Sequence, residues 1–292
     1  MYLFDFFQHS PVTFYVSMAV FGLVVGSFLN VVIYRLPKML ERDWQQQCRA
    51  LLKVNVPESV PAESLSLITP RSQCPRCGHK ITAVENIPVV SYLILSGKCS
   101  ACHHAIGIRY PIIELTSGML ALFSAWHFGL GVQTLLATLL AWALLALSVI
   151  DIDHQLLPDD ITLPLLWLGI LTNMYGVFTN IQSSLIGAMA GYCSLWTVYK
   201  AFKILTGKEG MGYGDFKLLA MLGAWLGWQM LPLIILLSSL AGATIGIVLI
   251  VSKIHDKNRP IPFGPYLALA GWIALVWGHD INILYLRWSA GH

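Results

Sequence analysis

With 292 residues, 56% of them apolar and 11% charged, and a mean hydropathy of +0.67, the chain is too apolar for a soluble globular domain. Repeated, nearly uncharged apolar runs call instead for several membrane spans, which makes the lipid bilayer its first partner. The net charge of +3 is small, no nucleic-acid partner is expected, and the information lies in where Lys and Arg fall along the chain.

Eight apolar runs are candidate spans: 14–34, 111–128, 132–150, 161–178, 181–199, 216–230, 231–252 and 261–277. The expected fold is therefore an all-α polytopic membrane protein of about eight transmembrane helices. Residues 1–35 carry the first helix, 36–109 a small cytoplasmic four-cysteine domain, and 110–292 the remaining membrane-embedded domain. The first run has neither a basic leader nor an AxA-like site and is long enough to span, so it is expected to stay as a helix. Asn30 near its inner end is of the kind that bonds a neighbouring helix, and Arg35 beyond it is expected to snorkel to the interface.

The segment 36–109 carries Cys74 and Cys77 as CPRC, then Cys99 and Cys102 as CSAC, with twenty-one residues between the pairs. Two thiolates three positions apart on a tight turn chelate one metal, and four complete a closed tetrahedral shell. Structural zinc is the expected occupant. Two disulfides are the alternative, which a reducing cytosol disfavours. Cys48 and Cys193 are left as ordinary residues. Glu114, one turn into the second span, is expected to pair with a nearby cation.

The run 132–150 ends in Asp151 and Asp153, and Asp159 and Asp160 follow, giving four carboxylates within ten positions. This placement needs a reason, because the C-terminal end of a helix disfavours negative charge. Asp159 and Asp160 have an ordinary explanation as N-terminal caps of the next helix. The first two either mark the water interface or do chemistry. The second unusual stretch is KEGMGYGDFK at 208–217, where Gly210, Gly212 and Gly214 precede Asp215. Such glycines let a backbone approach a partner closely. The spacing matches neither a Rossmann fingerprint nor a Walker loop, so nucleotide binding is set aside. Asp215 is either a cap of the sixth helix or a second functional acid. That sixth run is short for a bilayer and carries Lys217, so it is expected to be a half-span or a helix shielded by its neighbours.

Cytoplasmic loops hold the positive excess. Running the first helix inward places ten Lys and Arg of 35–109, four of 200–217 and three of 253–259 on the cytoplasmic side, and leaves only Arg287 outside. An even number of spans with both termini periplasmic follows. Asp151 and Asp215 then share one membrane face with the four-cysteine segment.

These motifs together resemble the type IV prepilin peptidases, bifunctional aspartic proteases and N-methyltransferases of the bacterial inner membrane. DIDHQLLPD at 151–159 and GMGYGD at 210–215 are similar to the family's two aspartate motifs, the second being the GxGD signature of intramembrane aspartyl proteases. CPRC and CSAC are similar to its cytoplasmic cysteine motif. The resemblance implies Asp151 and Asp215 as the catalytic pair, type IV prepilins and type II secretion pseudopilins as substrates, and S-adenosyl-L-methionine as methyl donor. Gly97 matches a glycine that the family uses for methyl transfer, although a plain turn before the second cysteine pair accounts for it equally. Two carboxylates close together in a partly dehydrated site cannot both ionise and share one proton, which suits water-mediated peptide hydrolysis without a covalent intermediate. A proton-coupled transporter would carry such acids near the bilayer midplane, and a non-enzymatic scaffold would not need the pair.

Overall fold

The computed structural model describes residues 2–52, 65–252 and 261–289. Lys53 and the three basic residues of 253–259, which enter the orientation argument, lie outside them. The described residues fold into ten α-helices: α1 (Tyr2–His9), α2 (Pro11–Leu52), α3 (Val90–Ile94), α4 (Arg109–Phe128), α5 (Val132–His154), α6 (Asp159–Met174), α7 (Ile181–Thr206), α8 (Tyr213–Leu226), α9 (Leu231–Val251) and α10 (Gly264–Ser289). Each predicted apolar run falls on a helix. Among the described residues, four stretches are by themselves long and apolar enough to cross a membrane: Pro11–Leu52, Val132–His154, Trp228–Leu249 and Gly264–Trp288. The chain divides into two compact units, Met1–Thr138 and Leu139–His292.

In the first unit, α2 does not stop at residue 35. It continues through Pro37 for 42 residues, a length of about 63 Å at 1.5 Å per residue, against about 30 Å of hydrocarbon. Its membrane portion packs on α4 through small residues. A Cβ at Gly22 would stand 2.8 Å from the Gly118 Cα, and one at Gly26 would stand 2.7 Å from the Glu114 Cα. The spacing Gly22-x-x-x-Gly26 thus brings two backbones together, the usual basis of helix pairing in lipid. Ser117 Oγ donates to Gly22 O at 2.6 Å across this seam. Asn30 bonds the neighbouring helix as expected, donating to Tyr110 O at 3.1 Å.

Two expectations are corrected here. Arg35 does not snorkel: it is 8% exposed and donates to Ser66 O at 2.9 Å and Pro70 O at 2.6 Å, so both terminal nitrogens of its guanidinium fasten the incoming loop. Glu114 takes a backbone amide instead of a cation, accepting from Val89 N at 2.7 Å. Both charged groups therefore tie the four-cysteine segment to the α2–α4 pair.

In the second unit the organising element is α8. At 14 residues it reaches about 21 Å, too short to cross a bilayer. It is buried along its length from Asp215 to Leu226 apart from half-buried Lys217, so it is a shielded helix. Gly187 of α7 and Gly223 of α8 face each other so closely that a Cβ on either would come within 2.3 Å of the other's carbonyl oxygen. Three of the carbonyls at the C-terminal end of α8, which would be orphaned in a dry interior, are satisfied from outside the helix or by its cap. Ala224 O accepts from Asn173 Nδ2 at 2.8 Å and Ser184 Oγ at 2.6 Å, Trp225 O accepts from Asn173 Nδ2 at 2.9 Å, and Gly223 O accepts from Gly227 N at 2.9 Å. A short helix can therefore end inside the unit, with Asp215 in its first turn.

Candidate active site and metal centre

Asp151 closes the long apolar helix α5, whose last turn is ended by Gln155 at φ +52° with its amide on Asp151 O at 2.9 Å. Asp215 lies in the first turn of α8, after the extended residue Gly212. The two carboxylates are 6% and 7% exposed and lie within coulombic reach of each other. Leu157 wedges between their supports: a Cβ at Gly214 would stand 2.8 Å from Leu157 Cβ, and one at Gly264 would stand 3.1 Å from Leu157 Cδ2. The close approach expected of the glycine-rich stretch is thus made to the chain itself. Gly210 does the same against the Phe202 ring, at 2.8 Å from Cε1. Glu209, in the same loop, is held by Lys203 Nζ at 2.6 Å and Tyr199 Oη at 3.3 Å.

The other three acids behave differently. Asp153, Asp159 and Asp160 are exposed. Asp159 does not cap α6, whose N-cap is Pro158 with no side-chain cap bond. It is instead gripped by Lys217 Nζ at 2.7 and 2.6 Å on its two oxygens, which joins the start of α6 to the first turn of α8. Burial, then, separates Asp151 from Asp153 two residues on, which spacing alone does not do.

The candidate metal centre lies in the first unit, and its two cysteine pairs are built alike. In the first, Cys74 N donates to His79 O and Gly78 N, at φ +71°, to Cys74 O. In the second, Cys99 N donates to His104 O and His103 N, at φ +54°, to Cys99 O. Both are the same tight turn, and each presents two sulfurs to one point. The four Sγ atoms lie within 4.8 Å of one another, with 3.8 Å between Cys74 and Cys102 and 4.0 Å between Cys77 and Cys99. A tetrahedron with metal–sulfur bonds of about 2.3 Å has edges of about 3.8 Å, so the donor set fits zinc. None of the four is in a disulfide.

Electrostatics agrees with that fit. Backbone amides of Cys77 and Arg76 pull the Cys74 thiol down to about 6. The His79 amide favours the Cys77 thiolate too, but the neighbouring sulfurs, Cys102 first, outweigh it and push Cys77 up to about 12. Four thiolates in one shell need a cation. Glu85 braces the two turns: it accepts from Thr82 N and Thr82 Oγ1, both at 2.8 Å, from Ser100 between the second pair of cysteines, and pairs with His79 Nε2 at 3.4 Å. The Ser100 hydroxyl, followed by Thr82, holds its carboxyl down at about 2. Gly97 sits in the turn leading to the second pair, at φ +68°, where a Cβ would meet the Tyr92 ring at 2.9 Å. Glycine is required there by backbone and packing alone.

Sequence reasoning missed Glu85, Asn173, Lys217 as a partner of Asp159, and Gly264, whose amide N donates to Asp151 Oδ2 at 3.0 Å. A signal for the last was present, a glycine between prolines in IPFGP at 261–265.

Comparison with known proteins matches residues 20–128 to the bacterial peptidase A24 N-terminal domain and residues 138–247 to the type IV leader peptidase family. A prepilin leader peptidase/N-methyltransferase of Pseudomonas aeruginosa is 55% identical over 289 residues, covering 99% of each chain. Proteins of the same description from Dichelobacter nodosus and Legionella pneumophila are 48% and 43% identical, covering 92% and 97% of this chain and 93% and 96% of theirs. No solved structure matches.

Proposed function

The chain belongs to the type IV leader peptidase family, and from that membership we propose that it removes the basic leader from type IV prepilins and type II secretion pseudopilins and then N-methylates the exposed terminal residue. The observation that carries the proteolytic reading is the pairing of two buried carboxylates, Asp151 and Asp215, contributed by different helices, among exposed acids that are not so placed. In the proposed chemistry the pair shares one proton. The ionised member takes a proton from water as it attacks the peptide carbonyl, and the protonated member hydrogen-bonds the carbonyl oxygen and supplies the proton that the leaving amine needs. No covalent intermediate is formed.

A prepilin presents a basic leader ahead of an apolar helix, so its junction lies at the membrane surface. The exposed carboxylates of Asp153, Asp159 and Asp160 would attract the leader there, Asp159 in company with Lys217. The chain is proposed to lie in the bacterial inner membrane with eight spans, the short α8 crossing only together with the 3-10 turn at Trp228–Met230 that follows it and shielded by its neighbours, with both termini periplasmic and the catalytic acids and four-cysteine segment on the cytoplasmic side.

Cys74, Cys77, Cys99 and Cys102 would hold zinc, whose closed thiolate shell supplies structure and no open catalytic position. S-adenosyl-L-methionine, when bound, supplies the methyl group. Gly97 is placed at that cofactor's site on the resemblance alone. Since its backbone already requires glycine, loss of methylation in Gly97→Val bears on the cofactor only if zinc content is unchanged.

The deciding experiment is mass spectrometry of a purified prepilin's N-terminus after incubation with the wild-type chain, Asp151→Asn or Asp215→Asn. The expected result is leader loss with the wild type and none with either variant. Leader loss with either folded variant refutes the two-aspartate mechanism.

A further inference from the structure

We infer that Gly264, at the start of α10, is a positioning residue for Asp151, its amide holding one carboxylate oxygen and its missing side chain leaving the room that carboxylate occupies. The inference rests on the proteolytic reading of Asp151. It begins from the placement that the sequence leaves unexplained, an acid at the C-terminal end of α5, where the helix dipole repels it.

The four N-terminal amides of α10 can be accounted for one by one. Pro265 has no N–H. The amides of Tyr266 and Leu267 both turn back to Phe263 O, at 3.1 and 3.2 Å. That of Gly264 is directed out of the helix and donates to Asp151 Oδ2 at 3.0 Å, across 113 residues of sequence. Asp151 is thus unfavourably placed on its own helix and favourably placed at the positive end of a 26-residue neighbour. With Oδ2 engaged, Oδ1 is the oxygen left to share the proton with Asp215 or to bind the attacking water.

The identity of residue 264 follows from space and not from backbone strain. A Cβ there would stand 2.6 Å from Asp151 Oδ2, 3.1 Å from its Cγ and 3.1 Å from Leu157 Cδ2. The first distance is shorter than real contacts allow, so the carboxylate must move, and Leu157, itself packed on Gly214, blocks one way out. Any residue but glycine displaces Asp151 relative to Asp215.

The test uses the purified full chain with a prepilin and with the same pilin already cleaved. Gly264→Ala is expected to lower kcat for leader removal on the order of 100-fold, the usual cost of a misplacement near 1 Å, with KM within about twofold. Methyl transfer to pre-cleaved pilin should persist, which reports that the protein is folded. Gly278→Ala, about four turns along the same helix, meets most closely the thioether end of Met230, with Sδ at 2.8 Å and Cε at 3.6 Å, and should keep kcat within about threefold. A wild-type kcat for Gly264→Ala overturns the inference, as does an equal loss of cleavage and methylation shared by Gly278→Ala, which marks general packing. If Asp151→Asn is inactive while Gly264→Ala is active, only the positioning role fails; if Asp151→Asn cleaves normally, the proteolytic reading itself fails. Independently of any Gly264 variant, protein carrying carbonyl-labelled Phe and amide-labelled Gly gives three Phe–Gly resonances, at 21–22, 128–129 and 263–264, and the one assigned to Phe263–Gly264 by its loss in Phe263→Leu should shift on Asp151→Asn and not on Asp153→Asn. No shift refutes the contact.

Discussion

Asn173→Ala should loosen the helix that carries Asp215 without touching either carboxylate. Asn173 is 1% exposed and fully used: its Nδ2 serves Ala224 O and Trp225 O, and its Oδ1 accepts from Phe178 N and Thr179 N, both at 3.1 Å. Truncation leaves Trp225 O and the two amides without these partners, while Ala224 O keeps Ser184. At about 1 kcal/mol for each of Trp225 O and Thr179 N, the low end for a stranded group, the loss comes to at least about 2 kcal/mol. Ser184→Ala strands no carbonyl, because Asn173 still reaches Ala224 O, and should cost about 1 kcal/mol. The assay is thermal unfolding of purified variants in detergent, read beside leader cleavage at a temperature where all are folded. The expected order of stability is wild type, Ser184→Ala, Asn173→Ala. Equal stability of the two variants, or Ser184→Ala as the weaker, would refute the account of how α8 is ended.

Three further outcomes are expected. Asp153→Asn and Asp160→Asn should retain kcat and at most raise KM, since both acids are exposed and would act only by attracting the leader; steady-state cleavage of prepilin measures this, and a kcat lost at Asp153 would move the catalytic role to that residue. Breaking the Lys217–Asp159 bridge by Lys217→Met should cost on the order of 0.5 kcal/mol, because both groups are partly solvent-exposed, and thermal unfolding with the single and double variants would expose any larger coupling. Protein purified under reducing conditions should hold one zinc per chain and release it on acidification, as protons compete for the thiolates, at a pH below that at which the metal-free thiols titrate, because the bound cation itself favours the thiolates; metal analysis after dialysis at graded pH checks it, and Cys74→Ser should lose the metal and leave 65–109 open to proteolysis.

What the sequence by itself determined is whatever spacing and composition carry locally. Long apolar runs must be helices in lipid, because their backbone groups can be satisfied only within the segment, and each predicted run is helical over most of its length, although the sixth is broken at Gly227. Four cysteines in two CxxC pairs converge on one point because each pair is a self-contained turn. Even the candidate acids were legible, as carboxylates where a helix end should repel them. Choices among chemically equal residues were decided by tertiary structure. Asp151 and Asp153 differ in burial, Asp159 answers to a lysine 58 residues away, and Arg35 is spent on backbone carbonyls in place of water. A short helix is possible at α8 only because Asn173 and Ser184 close its end. The reason is common to all of these: a helix fixes which residues share its face, but the partner that satisfies a buried charge or carbonyl comes from a distant segment, as the Gly264 amide comes to Asp151, and no local pattern records that meeting.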